Sequence, residues 1–523
     1  MMNRNELYKK AINHSSFDVI IIGGGATGLG CAVDACSRGL KVLLLEQQDF
    51  GKGTSSRSTK LIHGGLRYLQ QGNIKLVKEA LKERGLLCRN APHLVSQRKF
   101  LVPIYHYLDG PFYGAGLKIY DALAFSYGLD SSKFLTKEEV LQAAPEIKKE
   151  NLKGGLVYAD GQFDDARLLM TLAHTMIDLG GICLNYCKVI DFIKIDGVIQ
   201  GVVAEDLITH ESFHFHSQVV VNATGVFSDE LRKRDQKEAE NLMAPSQGIH
   251  LVLPKAFLSK ETAILVPKTE DGRVLFLVPW LDKVLAGTTD TLKEHIELEP
   301  KPLEEEIDFI LTESAKYLDK APKREDVLSV FAGLRPLVQQ KSKSTKAISR
   351  DHVIEISSSN LVTIVGGKWT TYRKMAEDTI DACSKQLKAN WTKSKTETLK
   401  LHGFLDHPFE NQTFLHYGSD REILLAIQKE DLSFSELLHP NLPYLKAEIV
   451  FAVRYEMAIH LEDFLARRTR SLLLDAKSTL QIAPEVAKIM AKELGTGCEW
   501  IDNELKNFRV LAENYALNST KSF

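Results

Sequence analysis

Long apolar runs are missing from this chain. No stretch approaches the ~20 consecutive apolar residues that a membrane-spanning helix needs. The first sixteen residues hold neither an apolar signal core nor an Arg/Ser-rich transit pattern. Secretion and a membrane-spanning topology are therefore not expected. Cysteine is scarce, with seven in 523 residues, and only Cys31/Cys36 and Cys183/Cys187 fall close together. Their spacings suit neither a redox Cys-x-x-Cys nor a metal site, so no disulfide framework and no metal centre are expected, and the thiols read as reduced and buried in a cytosolic protein. Net charge is only −2, which removes any global signature of nucleic-acid binding. Hydrophobic content of 44% and charged content of 26% are those of an ordinary globular chain. The length fits about three domains.

What the chain does have is an ordered motif near its start. Val19–Ile22 is a continuous apolar run, the pattern of a strand buried on both faces of a parallel sheet. Gly23, Gly25 and Gly28 follow in G-x-G-x-x-G spacing, with Gly24, Ala26 and Thr27 between them. The first glycine permits the turn, the second lets backbone approach a pyrophosphate, and the third lets helix pack on strand. Leu29–Arg38 reads as the helix, and Lys41–Leu45 as the second strand. Glu46 at its end is placed to accept from ribose hydroxyls. Strand, turn, helix, strand and acid in this order predict a dinucleotide site, with FAD and NAD both open.

The segment after Glu46 is basic and rich in glycine and hydroxyls, from Gly51 to Arg67. It offers amides, hydroxyls and cations to anionic oxygen. Leu76–Cys88 has apolar residues at helical spacing, and Lys75, Lys78, Lys82 and Arg84 read as its solvated face. Two later runs, Gln218–Gly225 and Leu361–Lys368, repeat the pattern of a β-branched strand ending in glycine. Three such strands far apart imply a nucleotide domain assembled from discontinuous pieces. Strand-like runs in 155–159 and 246–290 suggest a second, largely antiparallel sheet. Beyond a Thr/Lys-rich stretch at 389–400, helical periodicity (Ala447–Arg467, Ala483–Leu494) predicts an α-helical domain.

Together these motifs resemble the FAD-dependent D-amino-acid-oxidase-like oxidoreductases, and more narrowly the aerobic, quinone-linked glycerol-3-phosphate dehydrogenases. The resemblance is carried by Thr54–Leu69 (TSSRSTKLIHGGLRYL), Ala286–Asp290 (AGTTD), Ala332–Pro336 (AGLRP), Ile348–His352 (ISRDH) and Gly366–Arg373 (GGKWTTYR). Tyr455–Ala458 and Arg467–Arg470 extend it into the helical tail. Trp369 and Arg57 depart mildly from the family pattern. The resemblance implies an α/β fold with a discontinuous Rossmann-like FAD-binding domain, a mixed or antiparallel-sheet substrate (cap) domain and a C-terminal α-helical domain. It divides the chain into FAD-binding segments 1–100, 155–245 (in the main) and 341–388, and substrate segments 101–154 and 246–340. A linker at 389–400 and a helical domain at 401–523 complete it.

The implied reaction is oxidation of sn-glycerol 3-phosphate to dihydroxyacetone phosphate, with electrons passing through FAD to a membrane quinone. A peroxide-forming oxidase and an amine- or amino-acid-oxidising relative are the rivals. A phosphate dianion needs fixed cations, and Arg67, Arg335 and Lys368 are the candidates. Arg335 is alternatively placed to stabilise oxygen at the reacting carbon. His63 and His250 are the candidate bases, with no choice between them; a backbone-capping His63 and a core His250 are the plain alternatives. For FAD, Gly23, Gly24, Gly25, Ala26, Thr27 and Gly28 are expected at the pyrophosphate and Glu46 at the ribose. Thr54, Ser55 and Ser58 are expected at further oxygens, and Ala223, Thr224 and Gly225 at the nucleotide. Gly367, Lys368, Thr370 and Thr371 are expected near flavin or ribitol. A quinone acceptor implies peripheral attachment to the cytoplasmic face of a membrane; a homodimer is possible. The aromatic stretch Pro103–Leu129 reads either as a buried helix of the substrate domain or as an interfacial belt. Arg467, Arg468 and Arg470 read either as a lipid contact or as partners of Glu462 and Asp463.

Overall fold

The computed structural model describes residues 2–64, 73–106, 109–124, 130–270, 272–339, 352–406 and 413–517. Two sheets dominate these residues. The first has a parallel core in the order Leu361–Gly366, Ser212–Asn222, Phe17–Ile22, Val42–Leu45, Ile182–Leu184. His352–Ile356 adds antiparallel at one edge, and the Cys187–Ile195 and Val198–Asp206 strands extend Ser212–Asn222 as an antiparallel flap. Val19, Ile20 and Ile21 have no exposed surface. That is the burial their unbroken apolar run requires, worth about 1.5–3 kcal/mol per side chain. The Ala26–Ser37 helix packs between the Asp165–Asp178 and Tyr372–Gln386 helices.

The second sheet runs Thr291–Leu292, Ser246–Pro254, Lys283–Gly287, Leu275–Trp280, Ala263–Val266, Val95–Ile104, Gly154–Phe163, Leu61–Ile62. Ser329–Arg335 pairs with Ser246–Pro254, and Lys133–Leu135 with Gly154–Phe163. All of its pairings are antiparallel except Ala263–Val266 with Val95–Ile104. Two expected boundaries shift. Residue 100 lies inside the Val95–Ile104 strand, and Gly154–Phe163 belongs to this second sheet rather than to the nucleotide domain. The strand-like run at 155–159 is legible in sequence, but its partner, Val95–Ile104, is set by pairing across the sheet and not by local pattern.

The C-terminal region is helical, with Ala447–Tyr455, Ala476–Leu494 and Cys498–Glu513 packed together, plus a small hairpin of Leu437–His439 and Leu442–Leu445. The periodic run expected from Ala447 to Arg467 is interrupted after Tyr455. Met457 adopts φ +53°, and Glu456 turns inward to a bidentate ion pair with Arg167. The 389–400 stretch has no regular structure but is pinned: Asn90 donates to the Thr396 carbonyl at 3.2 Å, and Arg373 to Thr396 Oγ1 at 3.1 Å. Arg84, expected on a solvated face, is instead fully buried and paired with Asp160 at 2.7 Å, while Lys75 and Lys78 are exposed.

Candidate active site

The carboxyl ends of the parallel strands open on a cavity of about 460 Å³ that the second sheet closes on its other side. Such a position, at strand ends in a wound α/β sheet, is where that architecture leaves room for ligands. The nucleotide-side wall contains Gly23, Gly25, Ala26, Thr27 and Glu46. Thr54, Ser55 and Ser58 come from the glycine- and hydroxyl-rich segment. Ala223, Thr224 and Gly225 arrive from one distant strand, and Gly367, Lys368 and Thr370 from another.

Three expected cofactor residues stand just behind that wall. The Gly24 N–H donates to Glu46 Oε2 at 2.6 Å, and the Gln48 N–H to Glu46 Oε1 at 2.8 Å. Burial pushes the Glu46 carboxyl up, against those two amides. Gly28 packs helix on strand so closely that a Cβ would stand 1.9 Å from the Gly23 carbonyl oxygen. Thr371 is buried, its hydroxyl donating to the Lys368 carbonyl at 3.3 Å. It ends a short 3-10 turn, Trp369–Thr371, that leads into the Tyr372–Gln386 helix. Trp369, one of the departures from the family pattern, donates from Nε1 to the Ser55 carbonyl at 2.7 Å and so ties the two hydroxyl-rich segments together.

The opposite wall is built by strand alternation. Ser246, Gly248 and His250 lie on one face of their strand, and on the paired strand Arg335 stands opposite Ser246, Gly333 opposite Gly248 and Phe331 opposite His250. Gly248 leaves bare backbone, and the Arg335 guanidinium lies over it: a Cβ there would be 2.3 Å from one of its nitrogens. Arg335 donates to the carbonyls of Gln247 at 3.2 Å and Thr289 at 2.8 Å and to the Thr288 hydroxyl at 3.1 Å, with Asp290 at 3.5 Å. His250 stacks on Phe331 with centroids 5.0 Å apart, and its Nε2 lies 2.9 Å from Thr59 Oγ1. Gly287, opposite His250, supplies the room for the ring. Burial lowers the His250 pKa well below the ordinary histidine value, and the nearby charges of Lys60 and Arg335 add to the effect. The imidazole is therefore neutral at neutral pH. His63 lines the same cavity and is half-buried. Arg67 and Ile348–Asp351 lie outside the described residues.

Several contributors had no signal of their own in the sequence. Thr59 and Lys60 sit within the quoted basic segment, but their roles depend on partners far along the chain. Lys60 is fully buried, donating to Asp165 Oδ2 at 2.7 Å and to the Ser56 carbonyl at 2.8 Å. Burial lowers its pKa to about 8 against the opposing pull of Asp165. Asp165 also accepts from the Ser58 hydroxyl at 2.7 Å, so this buried pair shapes the wall from behind.

Comparison with known proteins identifies the family. Residues 18–373 match the FAD dependent oxidoreductase family, and residues 357–500 match the C-terminal domain of alpha-glycerophosphate oxidase. The mitochondrial glycerol-3-phosphate dehydrogenase of Bos taurus is 40% identical over 533 residues, covering 95% of this chain and 73% of its own. The human counterpart is 40% identical over 518 residues, covering 92% and 71%. The chain belongs to the FAD-dependent glycerol-3-phosphate dehydrogenase family. A solved glycerol-3-phosphate dehydrogenase from Bacillus halodurans, complexed with FAD, covers 99% of both chains at 30% identity with a TM-score of 0.81. An L-alpha-glycerophosphate oxidase from Mycoplasma pneumoniae shares the fold alone, at 17% identity and a TM-score of 0.56.

FAD is the cofactor of this family, and the residues present fit it. Gly25 has no side chain to cap the Ala26–Ser37 helix, the first turn carries no acidic residue, and only the Ala26 N–H is taken by a side chain, Ser55 Oγ at 3.0 Å, so the positive end suits a pyrophosphate. Glu46 keeps lone pairs for hydroxyl donors beyond the two amides it already accepts. Among the described residues no helix is long and apolar enough to cross a membrane. The lipid reading of the arginine cluster is overturned. Arg467 pairs with Asp49, Glu462 and Asp463, Arg468 with Asp49, and Arg470 with Asp165, and all three arginines are buried.

Proposed function

We propose that this protein oxidises sn-glycerol 3-phosphate at its secondary hydroxyl to dihydroxyacetone phosphate. The reading rests on one observation above all. His250 and Arg335 share a sheet face across Gly248, in the cavity that also holds the dinucleotide-binding turns. FAD, when bound, supplies the two-electron hydride acceptor. His250 takes the hydroxyl proton: its neutral ring is held by Thr59 and Phe331, which fixes the direction in which it accepts. Arg335 polarises the oxygen at the reacting carbon, and its guanidinium is already aimed by four hydrogen-bond partners. Lys368, with Arg67, holds the phosphate. His63 is the second candidate base because it lines the same cavity.

The residues proposed for FAD are Gly23, Gly24, Gly25, Ala26, Thr27 and Gly28 at the pyrophosphate and Glu46 at the ribose. Thr54, Ser55, Ser58, Ala223, Thr224 and Gly225 continue the cradle, and Gly367, Lys368, Thr370 and Thr371 complete it. A membrane quinone is the proposed second acceptor, reached by peripheral docking on the cytoplasmic face of the membrane. Ile119 and Phe134 support the docking as large apolar side chains 51% and 59% exposed in or beside the aromatic-rich stretch.

Anaerobic titration of the flavin-loaded protein with glycerol 3-phosphate tests the reaction. Bleaching of the flavin absorbance by the substrate, and not by amino acids, is expected; an unchanged spectrum overturns the assignment. Under air with a soluble quinone analogue, the quinone is expected to be reduced in preference to oxygen. Stoichiometric peroxide instead makes the protein an oxidase.

A further inference from the structure

A second cluster of chemistry-bearing side chains lies outside the cavity, where the Asp165–Asp178 helix meets the start of the C-terminal region. His174 and His402 stack with centroids 4.5 Å apart and planes 14° from parallel. A ring nitrogen from each and a carboxylate oxygen of Asp420 all lie within 4.8 Å of one another. None of the three lines the FAD-side cavity. His174, which has no motif around it, is only 3% exposed, and neither of its ring nitrogens has a hydrogen-bond partner. A buried imidazole with both nitrogens unsatisfied is costly unless something else engages it. Its nearest carboxylate, Glu456, stands 3.8 Å away and is committed to Arg167.

We propose that His174, His402 and Asp420 bind a divalent cation of the Zn²⁺ class. Two imidazoles and one carboxylate match the donors that zinc prefers, with a water as fourth ligand. His402 already has the outer partner such a ligand needs: its Nδ1 lies 2.6 Å from Asp178 Oδ2, while Nε2 faces Asp420 Oδ2 at 2.8 Å. A carboxylate on the far ring nitrogen fixes tautomer and orientation in zinc sites. Each His402 ring nitrogen faces a carboxylate, so the ion would take the place of the proton on Nε2, and Asp178 and Asp420 would then balance the dication. Arg167, the fixed cation nearby, is neutralised by Glu456. Donors bound to zinc at about 2.0–2.1 Å in tetrahedral geometry stand roughly 3.3 Å apart. Binding therefore asks the Nε2–Oδ2 pair to open by about half an ångström and His174 to turn toward it. The backbone is held ready, since the His402 N–H donates to Thr175 Oγ1 at 2.9 Å, one residue from His174. The ion would clip the nucleotide domain to the C-terminal helices.

The test uses the full-length, flavin-loaded protein after removal of metal. Titration with Co²⁺ is expected to give one equivalent of d–d absorption to the red of the flavin band, displaced by Zn²⁺. His174→Ala is expected to lose that signal. Asp178→Asn, at a partly exposed position, is expected to keep its flavin and bind about 10- to 100-fold more weakly. Absence of a stoichiometric cobalt spectrum in the wild type overturns the proposal. So does cobalt affinity unchanged in Asp178→Asn, or a signal retained in flavin-loaded His174→Ala. Those results leave His402 as part of an ionic cluster only.

Discussion

Arg335 reaches the cavity across the bare backbone of Gly248, and an added methyl group there would stand 2.3 Å from its guanidinium. The obstructed atoms are the end of a flexible side chain, so the fold tolerates Gly248→Ala, but the guanidinium must leave its hydrogen bonds to Thr288 and Thr289. The expected result is a thermal midpoint near wild type with kcat/KM lowered at least about tenfold, equivalent to about 1.4 kcal/mol. Steady-state kinetics beside a melting curve checks it. His250→Asn is expected to lower kcat by about 10²- to 10⁴-fold, the scale of a lost general base, with flavin content retained. His63→Asn is expected to cost less; the reverse ranking transfers the role to His63. The glycine turn at Gly23–Gly28 was readable from the sequence, because its spacing lies within six residues, although the carbonyl that crowds Gly23 belongs to Ala223. Gly248 carried no such signal, since its reason for being glycine is an arginine 87 positions later.

At the level of elements, one ionic cluster joins the glycine-rich segment to the rest of the chain. Glu299 accepts from Lys52 at 2.8 Å, Arg57 at 2.7 Å and the Tyr515 hydroxyl at 2.7 Å. Burial alone would raise the Glu299 carboxyl, but Arg57 and Lys52 overcome it and hold its pKa at about 2. A folded-state value below the unfolded one stabilises above the unfolded pKa and is lost as pH falls through the folded pKa. The stabilisation, about 3 kcal/mol, is therefore complete above about pH 4.5 and disappears toward about pH 2. Glu299→Gln is expected to be less stable than wild type by that amount at pH 7, with the gap closing through that window. Urea unfolding at a series of pH values measures it. Arg57, which departs from the family pattern, thus has a structural task here. Its Nη1 also donates to the Ala332 carbonyl at 3.1 Å, tying the segment to the strand that carries Arg335.

Across the whole molecule, the C-terminal helices supply charges to the interior of the nucleotide domain. Asp49, fully buried directly after the second strand, is held by Arg467 and Arg468. Asp165, under the cavity wall, has Arg470 at 3.4 Å besides Lys60. Removing one partner of a buried pair leaves an uncompensated charge at a cost of about 3–5 kcal/mol. Arg468→Met is expected to lose stability on that scale, and a chain ending at residue 400 is expected not to accumulate as soluble flavoprotein; soluble yield and flavin content after expression decide it. The discontinuous nucleotide domain was legible in three β-branched runs ending in glycine, because a strand buried on both faces declares itself in its own composition. The helical tail was legible through its 3.6-residue period, although Glu456 interrupts it to meet Arg167. The burial of Arg84, Arg467 and Arg468 was not legible, nor was the meeting of His174 with His402. By itself the sequence determined the cofactor turn, the strands that reach it and the helices of the tail, all declared by local composition and spacing. Tertiary structure alone decided which charges are interior and which side chains share a wall. A buried ion is tolerated only beside its counter-ion, and here Arg84 meets Asp160 from 76 positions away and Arg468 meets Asp49 from 419.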